Sequence, residues 1–416
     1  MHFGAAVAVL AFAVRVQADE AQCPAIGGVG ELVRCALESS ERVARIRAEM
    51  DSARARRDVA GRLLPANPVI DLGVGYRQTE TRSSDIDRGV EVAQSFEVGG
   101  QRGARISAAD AELRAAETSA RAVGALIAGE VLGAATQVVR ARRELALVRE
   151  QSEGAERLVQ VSRARAGKGL AAPLETELAE AARVQALRDE RVAAQELSDA
   201  EARLALSVGR DSQLALDAEL PPSPSPRGSL VELEDRAVAL RPEIAASRAA
   251  VESSSARVLL LRRERIPDVT LGAGARHEEL SNIFAAKVSV PIPLFRRNEG
   301  EIAEQEARTR QATATAHQEE LRVRWEVRAA FRSWQRARAA AEAIGPDLET
   351  RLRADVVALR DAYERGRLPL TTVLASLREA QSARRFLLEA RVDAAQAALE
   401  LARVAALDPC EAGACR

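Results

Sequence analysis

Two short stretches of strict alternation, set between long tracts rich in alanine, arginine and glutamate, limit what this chain can become. In the first, spanning 68–77, Ile70, Leu72, Val74 and Tyr76 point one way, while Asp71, Gly73, Gly75 and Arg77 point the other. In the second, spanning 267–276, Val269, Leu271, Ala273 and Ala275 oppose Asp268, Thr270, Gly272, Gly274 and Arg276. A period of two is the signature of a strand with one apolar and one polar face. Each stretch has a partner a dozen or so residues on. Val90, Val92, Phe96 and Val98 oppose Glu91, Ala93, Ser95 and Glu97, with Gln94 an exception on the apolar side. Phe284, Ala286, Val288, Val290 and Ile292 oppose Lys287 and Ser289. The pattern predicts two β-hairpins, 68–98 and 267–292, inside a helical protein.

The helical tracts are long. Residues 30–64 read as one helix ended by Pro65, and 101–166 run without a proline. At 1.5 Å per residue the second tract spans on the order of 100 Å, more than an ordinary globule needs. Gly167-Lys168-Gly169 breaks it, and Pro173 opens a returning helix over 173–208. A proline- and serine-rich linker occupies 221–228, and then the plan repeats. Residues 230–265 are helical, with Pro242 able to start the main helix after a short turn. The second hairpin follows, then a long helix over 300–364 interrupted at Gly345-Pro346, a break at Gly366-Arg367-Leu368, and a last helix over 370–407. The domain plan is therefore a signal segment 1–18, a first repeat 19–220, the linker, and a second repeat 229–416. Matching Pro68 with Pro267 and Ile106 with Ile302 suggests that the second hairpin loop is three residues shorter.

Composition agrees with an elongated helical molecule. Charged residues make up 29% of the 416 and nearly cancel, to a net charge of −1, while aromatics are only 3%. Nothing in that balance points to nucleic acid. Phe3 to Val14 form an apolar run too short to span a bilayer, and Val16-Gln17-Ala18 resembles a cleavage site, although only His2 stands where a basic residue is usual. The expectation is export. The sequence before Cys23 is not that of a lipid anchor. Cys23, Cys35, Cys410 and Cys415 suggest one or two disulfides in an oxidising compartment. A four-thiolate metal site is the weaker reading, since no Cys-x-x-Cys pair is present.

Strands of about ten residues with one apolar face are the right length to cross a bilayer. An open sheet cannot do so, because its edges leave backbone groups unpaired in lipid. Known transmembrane barrels begin at about eight strands, so a chain that supplies only four would have to share a barrel with other copies. In that reading Asp71, Arg77, Glu91, Glu97, Asp268 and Lys287 face the lumen. In the competing reading the apolar faces pack into an ordinary core. The girdle of aromatics expected at the membrane interfaces is thin, reduced to Tyr76, Phe96, Phe284 and Phe295.

At this point the chain resembles the outer-membrane efflux proteins typified by TolC, and within them the branch serving heavy-metal cation pumps. The residues that carry the resemblance are 64–72, 94–102, 241–244, 288–298 and 366–374, in order and in both repeats. The resemblance implies a mainly α fold of long helical hairpins with four β-strands per chain. It implies a homotrimer that forms a 12-stranded β-barrel in outer-membrane lipid and an α-helical tunnel in the periplasm. It also implies a periplasmic adaptor and an inner-membrane pump of the RND type as partners. The breaks at Gly167, Lys168, Gly169 and Gly366, Arg367, Leu368 then become the periplasmic tip where an adaptor docks. The family's tip is narrowed by two aspartates, but the matching positions here hold Thr372 and Ala375. Glu175 and Glu379 are the nearby acids that could take over.

Sites for chemistry are weak. Gly73-Val74-Gly75 lacks the third glycine of a dinucleotide fingerprint, and Gly167-Lys168-Gly169 lacks the spacing of a P-loop. His277-Glu278-Glu279 is not a zinc motif. No nucleophile, base and orienter stand at an interpretable spacing, so neither an enzyme nor a cofactor is expected. The reading is a passive conduit in a tripartite export system, with heavy-metal cations as cargo. The alternatives are the same fold exporting drugs or a secreted protein, or a periplasmic coiled-coil scaffold without a pore.

Overall fold

The computed structural model describes residues 26–407, except 65, 79–83, 211–214, 217–227, 279, 280, 296 and 346. The signal segment 1–18, most of the linker, Cys23, Cys410 and Cys415 lie outside the described residues. The first half contains β1 (Ile26–Gly27), α1 (Val29–Ser39), α2 (Glu41–Ala60), β2 (Val69–Gln78), β3 (Ser84–Phe96), α3 (Gln101–Gly167), α4 (Pro173–Val208) and β4 (Ala215–Leu216). The second contains α5 (Leu230–Leu240), α6 (Pro242–Arg263), β5 (Val269–Glu278), β6 (Ser281–Ser289), α7 (Glu299–Glu342), α8 (Leu348–Glu364) and α9 (Leu370–Val404). The strands β1 and β4 form a small parallel pair, and the two hairpins join edge to edge in one antiparallel sheet ordered β2-β3-β5-β6.

Helix α3, 67 residues long, is the spine. Near its start Asp110 pairs with Arg57 of α2, and Arg114 pairs with Glu252 of α6. Near its end Arg163 pairs with Glu180, and Ser162 bonds Thr176, both on α4. Two shorter helices therefore stack along one long one, as their lengths suggest. The buried face of α3 is built largely from small residues such as Ala104, Ala108, Ala111 and Ala135, so neighbouring helices approach closely. Cores form at three levels. One joins α1, α3 and α4, another joins α5, α7 and α9, and a third gathers Leu158, Tyr363, Leu370 and Val373 near the turns after α3 and α8.

Two details differ from the sequence reading. The helix expected over 30–64 is two helices, because Ser40 takes an extended backbone (φ −67°, ψ 127°). Arg241 does the same between α5 and α6 (φ −66°, ψ 130°), where Pro242 announces the break. The interruption expected near Gly345 in the helix over 300–364 is found, with α7 ending at Glu342, α8 starting at Leu348 and Gly345 outside both. The repeat offset is also corrected. Leu72 faces Val90 and Leu271 faces Val288, so the hairpins share one register. Helices α3 and α7 start at Gln101 and Glu299, each after a left-handed residue, Gly100 (φ 78°) and Asn298 (φ 53°). On these equivalences the second hairpin is one residue shorter than the first, not three.

The joint between sheet and helices is tightly made. The Glu97 carboxylate pairs with Arg105, which also donates to the carbonyls of Ala60 and Arg62, both at 3.2 Å. Buried Gln101 donates to the Ile266 carbonyl at 2.7 Å and to Asp268 at 3.3 Å, while accepting from the Gly99 amide at 2.6 Å. Here Gly99 is required for space, because a Cβ on it would lie 2.6 Å from Cβ of Ile266.

Lower down, ion pairs with one buried member tie α9 to α3 across the repeats and α5 to α7 within the second. Arg384 of α9 is 5% exposed and reaches Glu150 of α3 at 2.7 and 3.1 Å. Glu234 of α5, also 5% exposed, accepts from Arg328 of α7 at 2.6 and 2.9 Å. The hydrogen bonds from Arg384 and Arg328 hold the Glu150 and Glu234 carboxyls below the usual carboxylate range.

Two outcomes are expected. Gly99→Ala should destabilise the folded protein by about 1–3 kcal/mol through overpacking, and adding Ile266→Ala should restore part of it. Thermal unfolding in detergent reads this, and an unchanged midpoint for the single variant would refute the close approach. Carboxyls whose folded pKa is depressed stabilise the fold above their unfolded value of about 4.3, and that stability disappears as the pH falls through the folded value. The unfolding midpoint should therefore hold from neutral pH down to about 5 and fall in stronger acid. Glu234→Gln should lower it at pH 7 and flatten the acid limb; an acid limb of undiminished steepness would count against this assignment.

Candidate functional site

The four-stranded sheet sets its two faces in different surroundings. On the apolar side Leu72 and Val74 are 78% and 81% exposed, and Ile70, Tyr76, Phe284 and Val288 also point outward. Among the described residues no helix covers them. On the polar side Asp87, Gly89, Glu91, Ala93 and Ser95 of β3 are half-buried, and the sheet encloses a shallow cleft lined by Asp71, Asp87, Glu91, Gly274, Arg276 and Lys287. The sheet thus curves with its polar face inward. An exposed apolar face of this extent is abnormal for a protein in water and normal for one in lipid.

Charges on the polar face are organised into pairs. Arg77 bonds Asp87 at 2.9 and 3.1 Å and reaches Glu278 at 3.3 Å, and Arg276 also meets Glu278, at 3.2 Å. Lys287 donates to Glu91 at 3.1 Å, across β5 from one hairpin to the other. Asp71 stands opposite Glu91 in the register and is exposed. Of the expected lumen residues, Asp71, Arg77, Glu91 and Lys287 share this face. Glu97 and Asp268 do not belong to it. Both lie just outside the strands, and both are engaged at the joint, with Arg105 and with Gln101. Alternation gave their side but not the point where the strand stops.

At the far end the two breaks after α3 and α8 have the same construction. Gly169 (φ 70°) and Gly366 (φ 73°) close their helices in Schellman motifs. The Leu170 and Gly169 amides donate to the Arg165 and Ala166 carbonyls, both at 2.9 Å, and Arg367 and Gly366 donate to Ala362 and Tyr363 at 2.8 and 2.9 Å. Gly167, Lys168, Gly366 and Arg367 are exposed, while Leu368 tucks partly into the core beneath them.

A cluster that sequence reasoning missed binds these two turns. The Tyr363 side chain is fully buried, and its hydroxyl donates to Glu175 at 3.1 Å. Arg165 donates to the Tyr363 carbonyl and lies 4.9 Å over its ring. Burial, reinforced by Glu175, pushes the phenol pKa up. The available signal was that Tyr363 is one of only two tyrosines in the chain, placed three residues before a helix break. Glu175 is half-buried and accepts this bond from its own chain. Thr372, Ala375 and Glu379 are exposed on one face of α9, opposite buried Val373, Leu377 and Ala380. Glu379 is the acid that remains available on that face.

Among the described residues no group of three or more His, Cys, Asp or Glu is arranged to hold a metal. Cys35 is buried and disulfide-bonded.

Comparison with known proteins agrees with this geometry. Over 248 residues the chain is 28% identical to the cobalt-zinc-cadmium resistance protein CzcC of Cupriavidus metallidurans, covering 58% of this chain and 57% of that one. It is 30% identical to the nickel-cobalt-cadmium resistance protein NccC of Alcaligenes xylosoxydans xylosoxydans, covering 58% of this chain and 54% of NccC. The matched region thus spans just over half the length of these curated relatives. In solved structures, the fold matches CusC with a TM-score of 0.73 at 17% identity over 91% of both chains. It matches the outer membrane protein VceC of Vibrio cholerae with a TM-score of 0.70 at 18% identity, over 91% of this chain and 95% of that one. The outer membrane efflux protein model matches residues 32–210 and 233–406, one segment in each repeat, and the chain belongs to that family of outer-membrane channel proteins.

Proposed function

We propose that three copies of this chain close one twelve-stranded barrel, continue it as a helical tunnel, and serve as a passive exit for heavy-metal cations. The observation that carries this reading is a sheet with an uncovered apolar face, a cleft-forming polar face and two unpaired edges. Lipid would cover the first, water the second, and only further strands can satisfy the third. Two copies would give eight strands, a size whose interior side chains fill, whereas three leave room for a wet passage. The cargo rests on the relatives, which are named for resistance to cobalt, zinc, cadmium and nickel. A conduit has no need of a capturing site, since tight binding would slow release. Energy would come from an inner-membrane RND pump, reached through a periplasmic adaptor that docks on the exposed turns at Gly167–Gly169 and Gly366–Leu368.

Protein extracted from outer membranes should have a detergent-corrected mass three times that of the exported chain, which is the 44.6 kDa of the full sequence less its signal segment. A monomer released without detergent would leave a periplasmic scaffold as the better account. Cells carrying the cognate pump and adaptor should lose cobalt, zinc or cadmium tolerance when this chain is deleted. Loss of drug resistance alone would keep the conduit and overturn the cargo.

At the tip, Tyr363→Phe removes the bond to Glu175 at a cost of about 0.5–1.5 kcal/mol and should raise single-channel conductance in planar bilayers. Glu379→Gln should weaken block by divalent cations. Equal block in both proteins would remove Glu379 from the constriction.

A further inference from the structure

We propose that the edge strands of adjoining subunits pair in a definite register, with Val288 opposite Tyr76 of the partner subunit and, one residue past the end of β6, Val290 opposite Val74 of the partner subunit. This rests on the shared-barrel reading above and adds to it the partner, the edge and the alignment.

The argument comes from the internal repeat. Strand β2 is equivalent to β5, because Pro68, Leu72, Gly73, Gly75 and Arg77 match Pro267, Leu271, Gly272, Gly274 and Arg276. Strand β3 is equivalent to β6, because Val90 and Val288 stand opposite the equivalent leucines, Leu72 and Leu271. The same alignment brings Gly100 onto Asn298, the left-handed caps of α3 and α7. One chain therefore already contains the junction between repeats, where β3 pairs with β5. The free edges are β6 and β2, the equivalents of that pair. A ring of alternating repeats repeats the β3–β5 junction at each subunit boundary.

The observed register can be carried across directly. Val90 faces Ala275, Val92 faces Ala273 and Gln94 faces Leu271. The equivalent pairs are Val288 with the partner's Tyr76, Val290 with the partner's Val74, and Ile292 with the partner's Leu72. All six side chains are large, apolar and exposed in the single chain. A slip of one residue would put these side chains against the polar face, and the face pattern forbids it. A slip of two would preserve the faces, and there the repeat equivalence decides.

The polar face offers a check. Gly89 faces Arg276 inside the chain, so Lys287 would face the partner's Arg77 at the boundary. Like charges directly opposite are unfavourable. Both are already compensated, Lys287 by Glu91 and Arg77 by Asp87 and Glu278. The pairing adds no uncompensated charge to the lumen.

Double cysteine variants of the full chain, oxidised in outer membranes and run without reductant, test the register. Opposite residues have Cβ atoms about 4.5–5.5 Å apart, and diagonal ones about 7–8 Å. A disulfide needs about 3.5–4.5 Å, so opposite pairs should give about tenfold more covalent trimer than diagonal ones. Tyr76→Cys with Val288→Cys, and Val74→Cys with Val290→Cys, should cross-link. Val74→Cys with Val288→Cys, and Tyr76→Cys with Val290→Cys, should not. Preferential cross-linking of the diagonal pairs would overturn the register while leaving the barrel intact. No cross-link in a species of threefold mass would overturn the edge pairing itself. A single-chain mass would show instead that the conduit reading had failed.

Discussion

The backbone along β2 and β6 is hydrogen-bonded on one side only, and much of this molecule follows from that. An unpaired amide or carbonyl in hydrocarbon costs several kcal/mol, and strands of nine and ten residues carry many of them. A sheet that is apolar outside and polar inside therefore requires closure by more strands of matching pattern. Closure in turn fixes where the helices must leave. All enter or exit at the same end of the sheet, so the joint there sets the angle between barrel and tunnel. That is why several polar groups converge there. Arg105 ties the end of β3 to the carbonyls that end α2, and Gln101 joins the start of α3 to the entry of β5. With Gly99 pressed against Ile266, the joint has little room for rotation.

Below the joint the problem changes from closure to length. A helix of 67 residues has no interior of its own, and its stability comes from neighbours laid along it. Alanine suits this role, because small side chains leave helix axes close and cost little conformational entropy. The many exposed arginine–glutamate pairs add little individually. The few buried ones act differently. Arg384–Glu150 and Arg328–Glu234 sit where a lone charge would be costly, so they punish misalignment of one helix against another more than they add stability. Long helices with repetitive surfaces slide easily in register, and such pairs mark the correct one.

The sequence made the large features plain because they depend on periodicity and on chain-breaking residues. Strands β2 and β5 follow from alternation, α4 and α6 from their opening prolines, and the turns at Gly169 and Gly366 from the need for a left-handed residue. The break at Ser40 was invisible because serine tolerates both helix and extended backbone, and its side chain makes no cap. The equivalent break at Arg241 was visible only through Pro242. Alternation also fails to report where a strand stops, so Glu97 and Asp268 were assigned to the lumen rather than to the joint. The engagement of Glu175 was hidden for another reason. Its hydrogen-bond partner, Tyr363, lies 188 residues away, and no local pattern connects them.

That bond bears on how the far end can be narrow without an acidic ring. Thr372 and Ala375 bring no charge to the exposed face of α9, and the first exposed charges are Arg378 and Glu379, about two turns below Thr372. The tip instead concentrates its polar contacts between repeats. Arg165 and Glu175 come from the first, and Tyr363 from the second. Moving α8 and α9 away from α3 and α4 would expose a fully buried tyrosine and leave Glu175 and the Tyr363 carbonyl without their present partners. The two turns are thus held together by contacts between the two repeats of one chain. In the channel proposed above, such a tip would respond to whatever separates the two repeats.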